Sequence, residues 1–220
     1  MNRHRLPPAP DGLPRGARLR LLIFDCDGVL FESEEANVAF YDAVLAAEDL
    51  PPLDDEGRRL CYVLSGSQLY DRLFGRDPAL LQRVRETAKR IDYGPFYGLM
   101  RPVPALRETL ARLAAHCPLA LATNRGRTVS GVLAYFGLEQ FFSTRVGILD
   151  VARPKPAPDV LLACLERSGV PPQAAAYVGD SEIDRDAARA AGIAYVGVGA
   201  KSGACWTVKG IRELPDLLLP

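Results

Sequence analysis

The chain has 220 residues, enough for one sizeable domain or for a core domain with a smaller one inserted. Its 27 basic and 27 acidic residues cancel, which leaves no basic footprint for nucleic acid or an acidic membrane surface, and no apolar run approaches the roughly 18 residues that cross a bilayer. Five scattered cysteines without a CxxC pair argue against a disulfide framework or a zinc site, and two histidines leave little for a Ser/His/Asp triad. The expected address is the cytoplasm.

Residues 1–17 hold Arg and Pro but no apolar stretch of signal-peptide type, so they read as a loose tail. Residues 18–24 (RLRLLIF) end in a compact apolar run that stops abruptly at Asp25, as a buried parallel strand does. Residues 31–100 follow with helical patterns at 34–47, 54–64 and 78–91 and no convincing strand. Pro51-Pro52, Gly66, Gly75 and Gly94-Pro95 punctuate them, and the segment reads as a small helical domain inserted after the first strand. Short apolar runs return at 118–122, 145–148, 174–178 and 193–198, with helical stretches at 103–116, 128–136, 158–168 and 184–191. This alternation predicts an α/β fold: a Rossmann-like parallel sheet with helices on both faces, built from residues 18–30 and 101–220.

Four segments at strand ends carry chemistry. Asp25-Cys26-Asp27-Gly28 follows the first strand, where open α/β sheets bind ligands. Two carboxylates one residue apart can divide labour, one attacking an electrophile and the other exchanging protons; an acidic turn at a strand end is the plainer alternative. Thr123 and Asn124 close the next run, with a hydroxyl and backbone amides suited to phosphate oxygens or to capping the next helix. Lys155 sits among three prolines, 154, 156 and 158, as a pinned ammonium or a solvated one. Asp180, Ser181 and Asp184 follow another strand. Carboxylates on a short loop suit Mg²⁺, although Ser181 and Asp184 also fit a capping box.

Taken in order, D-x-D-G-V-L, then T-N, then K-P, then G-D-S-x-x-D resembles the haloacid dehalogenase superfamily over residues 19 to about 200. TNRGRTVSGVLAYFGLEQFF and RPKPAPDVLLACLERSGV look most like its phosphoglycolate-phosphatase-type enzymes. The resemblance implies that Asp25 attacks phosphorus and that Asp27 protonates the leaving oxygen and then activates water. It implies that Thr123 and the Asn124 amide hold phosphoryl oxygens while Lys155 steadies Asp25 and the phosphate. Mg²⁺ would be held by Asp25, the Asp27 carbonyl and Asp180, with Asp184 assisting from farther out. Residues 31–100 would form a helical cap, with Ser65, Gly66, Ser67 and Gln68 at its specificity loop, although Gly and Ser also suit an ordinary turn.

The expected activity is magnesium-dependent hydrolysis of a small phosphorylated metabolite by a monomer or homodimer, without nucleic acid or membrane. A phosphomutase shares the same residues, and a non-catalytic phospho-binding or signalling module is the other alternative. Dehalogenases of the superfamily lack an acid at the position of Asp27, and phosphonate-cleaving relatives need a cap lysine that residues 31–88 do not contain.

Overall fold

The computed structural model describes residues 13–14, 16–61, 64, 66–204 and 206–219. These divide into two compact units, one of residues 1–31 and 102–220 and one of residues 32–101. Each is described by itself.

The larger unit is built on a six-stranded sheet: β1 (Leu21–Phe24), β4 (Leu119–Ala122), β5 (Phe142–Val146), β6 (Ala175–Gly179), β7 (Ala194–Val198) and β8 (Thr207–Val208). Two further strands, β2 (Phe31–Glu32) and β3 (Arg101–Pro102), pair with each other where the chain leaves and re-enters this unit. The spatial order of the sheet is β5-β4-β1-β6-β7-β8, and every pairing is parallel. From β1 the chain builds outward through β4 and β5, then returns to the far side of β1 to lay down β6, β7 and β8. The order therefore reverses between β1 and β6, and a crevice opens at the carboxyl ends of strands at such a reversal.

Parallel strands covered on both faces need apolar side chains throughout, and β1, β4 and β6 are buried at every position. Leu21, Ile23, Ala120, Ala122, Ala175 and Tyr177 pack against α7 (Asp159–Ser168) and α8 (Glu182–Ala191) through Val160, Leu161, Cys164, Ala187 and Ala188. The alternate residues Leu22, Phe24, Leu119 and Leu121 point to the other face and are buried as well. Helices α5 (Leu106–Ala114), α6 (Val129–Tyr135) and α9 (Leu214–Leu218) complete this unit.

Several boundaries differ from the expectation. The strand expected at 145–148 runs instead from Phe142 to Val146, with residues 148–150 in a 3₁₀ turn. As the edge strand it alternates buried and more exposed residues, so the continuous apolar run that marks a central strand is missing. The helix expected from 103 begins at Leu106, because Pro102, Pro104 and a left-handed Ala105 precede it. Of the expected tail, residues 1–12 and 15 lie outside the described residues, while Gly16–Arg18 form a 3₁₀ turn whose Gly16 carbonyl lies 3.0 Å from His116 Nε2.

The smaller unit consists of α1 (Glu34–Ala46), α2 (Asp55–Leu60), α3 (Gly66–Phe74), α4 (Pro78–Arg90) and a 3₁₀ segment, Gly94–Leu99. Asp54 and Asp77 cap α2 and α4 by accepting from Gly57 N and Leu80 N. Val38, Leu45, Leu53 and Leu69 form one small core, and Val44, Tyr70 and Val84 another. Helix α3 was not expected, and it corrects the reading of residues 65–68 as a loop. Gly66, Ser67 and Gln68 are its first turn, while Ser65 lies outside the described residues. The first amides of a helix have no intrahelical acceptor to begin with, so Gly and Ser are tolerated there. Leu69 and Tyr70 are buried, and Leu73 and Phe74 pack beside them on the same face.

Candidate active site

The residues singled out in the larger unit converge at the carboxyl ends of β1, β4 and β6. Asp25 continues the β1 ladder by donating its N–H to Val178 O of β6 at 2.9 Å, so its backbone is pinned at the reversal point. The chain then turns at Gly28, whose φ is +76°. A Cβ built there would collide with the Asp180 carboxylate, so the turn needs glycine for both conformation and close approach.

Lys155 organises the first group of charges. Its Nζ donates to Asp184 Oδ1 at 2.7 Å and to Tyr177 Oη at 2.9 Å, and lies 2.8 Å from Asp25 Oδ1. Asp25 Oδ1 is buried and, although ion-paired, accepts no well-formed hydrogen bond among the described residues. The loop that presents Lys155 is fastened from the side: Lys155 N donates to Asn124 Oδ1 at 2.9 Å, and Asn124 Nδ2 donates back to Lys155 O at 3.2 Å. The Asn124 side chain is thus a brace for that loop. Thr123 is buried; its Oγ1 accepts from Arg125 N at 3.1 Å, and its O–H keeps a proton to donate.

Asp184 does two jobs that the sequence offered as alternatives. Its Oδ2 accepts from Ser181 N at 3.2 Å, which with Asp184 N donating to Ser181 Oγ makes a capping box on α8, and also from Ser181 Oγ at 2.6 Å, while Oδ1 accepts from Lys155 and from Tyr177 Oη at 2.7 Å. Single carboxylate oxygens of Asp25, Asp180 and Asp184 all lie within 4.8 Å of one another. Burial, above all, raises the Asp25 carboxyl to about 8, with Asp184 and Asp27 adding to the rise and Lys155 opposing it. Burial and the neighbouring Asp184 raise Asp180 to about 6. For Asp184, burial acts upward, but Lys155 and the hydrogen bonds from Ser181 and Tyr177 hold it below the usual carboxylate range. One ammonium among three carboxylates leaves negative charge uncompensated. With oxygens of three carboxylates within 4.8 Å of one another, this donor set fits a hard divalent cation that prefers oxygen ligands.

Asp27 lies in different surroundings. Arg125, a residue the sequence did not single out, clamps its carboxylate: Nε donates to Oδ2 at 2.8 Å and to Oδ1 at 3.0 Å, and Nη2 to Oδ1 at 2.6 Å. Arg125 is buried. The only advance signal was an arginine at the end of a strand, next to the T-N pair. Tyr177 was likewise read only as part of a buried strand. Burial and Asp184 push its phenol well above the usual tyrosine range, so it stays a neutral hydrogen-bonding bridge. The described cysteines, Cys26, Cys61, Cys117 and Cys164, are free and buried; burial raises the Cys164 thiol to about 12, which removes it as a nucleophile near neutral pH.

Comparisons with known proteins bear on the family and the fold. The family described as haloacid dehalogenase-like hydrolase matches residues 22–198. A phosphoglycolate phosphatase of Chromobacterium violaceum is 34% identical over 224 residues, covering 91% of this chain and 96% of its own. That of Escherichia coli K12 is 31% identical, covering 82% and 81%. A crystal structure of a subfamily IA hydrolase of this superfamily from Geobacter sulfurreducens superposes with a TM-score of 0.76 at 35% identity, covering 93% of this chain and 98% of the other. A match that runs from the first strand to the end of β7, with relatives this alike along most of their length, admits one assignment: the chain belongs to the haloacid dehalogenase-like hydrolase family and is a phosphatase within it.

Proposed function

We propose that this phosphatase hydrolyses a small phosphorylated metabolite with Mg²⁺ through an aspartyl-phosphate on Asp25, and that 2-phosphoglycolate is the first substrate to test. The observation that carries the reading is the group of Asp25, Asp180 and Asp184 around Lys155 at the strand-order reversal. Asp25, Asp180 and the Asp27 carbonyl are the groups proposed to hold Mg²⁺, with Asp184 orienting them through Lys155 and the Asp180 backbone amide. When bound, the ion supplies positive charge against the phosphoryl oxygens and the Asp25 carboxylate.

This chain's own residues do the rest. The Asp25 oxygen forms a bond to phosphorus as the bond to the leaving oxygen breaks, and the leaving oxygen takes a proton from Asp27. Water then bonds to phosphorus, its proton passes to Asp27, and the bond to Asp25 breaks with its electron pair returning to the carboxylate. Thr123 O–H and the Asn124 amide donate to phosphoryl oxygens. Lys155 holds Asp25 in line and offsets charge between Asp25 and Asp184. The helical unit, inserted a few residues after Asp25, is proposed as the cap that sets substrate preference. The relatives named for phosphoglycolate are the reason to begin with that ester.

The test is release of phosphate from 2-phosphoglycolate, sugar phosphates, nucleotides and pyrophosphate, with and without Mg²⁺. Preference for 2-phosphoglycolate, loss of activity in chelator and trapping of labelled phosphate on Asp25 are expected. Turnover that persists in chelator, or in Asp25→Asn, overturns the mechanism.

A further inference from the structure

Arg125 is a buried guanidinium, and burying one is costly unless its donors are met. Here they are met by a partner 98 residues away: the Nε and Nη2 edge grips both Asp27 oxygens at 2.6 to 3.0 Å. The remaining nitrogen, Nη1, donates to Thr128 Oγ1 at 3.3 Å. The backbone beneath is fastened as well, with Arg125 N donating to Thr123 Oγ1 and Ile148 N donating to Arg125 O. A planar fork held at both ends fixes the plane of the carboxylate it grips, which a point-charge ammonium does not.

We infer that Arg125 is the positioning residue for proton exchange by Asp27, a role that rests on the phosphatase reading above. Asp27 meets two different partners in turn, the leaving oxygen and then the water. It must present an oxygen to each from one position, or the second proton transfer is lost. The turn at Gly28 fastens the Asp27 backbone, with Gly28 N donating to Phe31 O at 2.8 Å and Phe31 N to Cys26 O at 3.2 Å, but it does not fix the plane of the carboxylate. The clamp from the β4 loop supplies that constraint. The competing role, a direct phosphate ligand, would use the same Nε and Nη2 edge that Asp27 already fills.

The two roles separate by leaving group. 4-Nitrophenolate departs without a proton, whereas an alkoxide needs one. With Mg²⁺ present, kcat/KM is measured on 4-nitrophenyl phosphate and on two alkyl esters, 2-phosphoglycolate and glycerol 2-phosphate. The proteins compared are wild type, Arg125→Lys, Arg125→Gln, Asp27→Asn and the Asp27→Asn/Arg125→Gln double variant. Arg125→Gln should lose about 10- to 100-fold on the alkyl esters and about tenfold less than that on the aryl ester, within the range general acid catalysis supplies. Arg125→Lys, which keeps the charge and guards against a folding failure, should show the same selectivity at smaller size. Asp27→Asn should show it too, and the double variant should be no worse than Asp27→Asn, because the two residues act as a unit. Equal losses on aryl and alkyl esters, multiplying losses in the double variant, or a weaker inhibition by inorganic phosphate each overturn the role. A wild type inactive on all three esters, or an active Asp25→Asn, overturns the phosphatase mechanism and this inference together.

Discussion

Asp25 and Asp27 stand two residues apart, yet their carboxylates sit in opposite electrostatic situations. Asp25 stands with two further carboxylates, Asp180 and Asp184, and one ammonium, most of them buried, so negative charge is left over. Around Asp27, among the described residues, the Arg125 guanidinium faces the carboxylate, fork to oxygens. The first half of the site is therefore the half proposed to take a cation, while in the second half a side-chain cation already faces the carboxylate. Alternation along a loop produces the contrast: one residue faces the reversal between β1 and β6, and the next acid faces the β4 loop.

The hardest test of the contrast is Asp25→Asn. If Asp25 is the nucleophile, phosphate release should fall by about 10⁴-fold or more, since an amide does not replace a carboxylate in attack. The same change puts a neutral amide where burial already opposes ionisation of the carboxyl up to about pH 8. In chelator the variant should melt no lower than wild type, whereas Asp27→Asn, which leaves a buried guanidinium with a weaker partner, should melt lower. Differential scanning calorimetry with phosphate-release assays reads both. The reverse order of melting temperatures would mean the surplus of charge is not there.

Lys155→Met asks the same question from the other side. Removing the ammonium leaves Asp25 and Asp184 facing each other without a cation, and breaking a buried pair in this way costs about 3–5 kcal/mol. Urea denaturation in chelator should show that loss, and Mg²⁺ should restore part of it. A loss below about 1 kcal/mol would show that solvent already screens these charges.

How far this contrast could be read in advance depends on distance along the chain. Strand, turn and carboxylate are local, so β1, β4 and β6 and the acids that follow them were legible from short apolar runs ending in polar residues. Asp25 and Asp180 were expected to meet because parallel strands deliver their carboxyl ends to one edge. The Arg125–Asp27 clamp joins residues 98 apart, and no local pattern marks which carboxylate an arginine will choose. Tyr177 was hidden for a related reason, since an aromatic in a buried strand is explained by packing until its hydroxyl is seen to reach Lys155 and Asp184. Helix α3 was lost because Gly66 and Ser67 are turn residues by composition, and only the apolar face of Leu69, Tyr70, Leu73 and Phe74 argued otherwise.

A smaller effect follows from pH. Folded-state values raised to about 8 for Asp25 and about 6 for Asp180 lie above those of the unfolded chain. The folded state therefore binds more protons, and these two groups lower stability as pH rises from about 4 towards 8. A cation that accepts both carboxylates in ionised form removes that penalty. The stabilisation by Mg²⁺, followed as a rise in melting temperature, should thus grow from about pH 5.5 to pH 8, reaching roughly 2.7 kcal/mol at a hundredfold excess over Kd. Asp180→Ala should abolish most of the rise, and Arg125→Gln should keep it. A rise that shrinks with pH would contradict the assignment of surplus charge to the Asp25 side.

The smallest effect compares two helix caps of the same kind in the two units. Asp77 caps α4 by accepting from Leu80 N at 3.0 Å, and Ser181 caps α8 by accepting from Asp184 N at 3.3 Å. Each loss, Asp77→Ala or Ser181→Ala, should cost about 1 kcal/mol in urea denaturation. The two should part company in metal binding. Ser181 also donates to Asp184 Oδ2 at 2.6 Å, and Asp184 in turn holds Lys155 and the Asp180 amide. Without the hydroxyl, Asp184 keeps its place on α8 but loses a donor that fixes its plane, and the oxygens around Asp25 lose alignment. Calorimetric titration with Mg²⁺ should show Ser181→Ala weakened by about tenfold, the lower end of what outer partners of metal ligands contribute, with Asp77→Ala unchanged. Equal affinities in the two variants would mean that the Asp25 group is oriented by Lys155 and Tyr177 alone, and that the capping box serves only its helix.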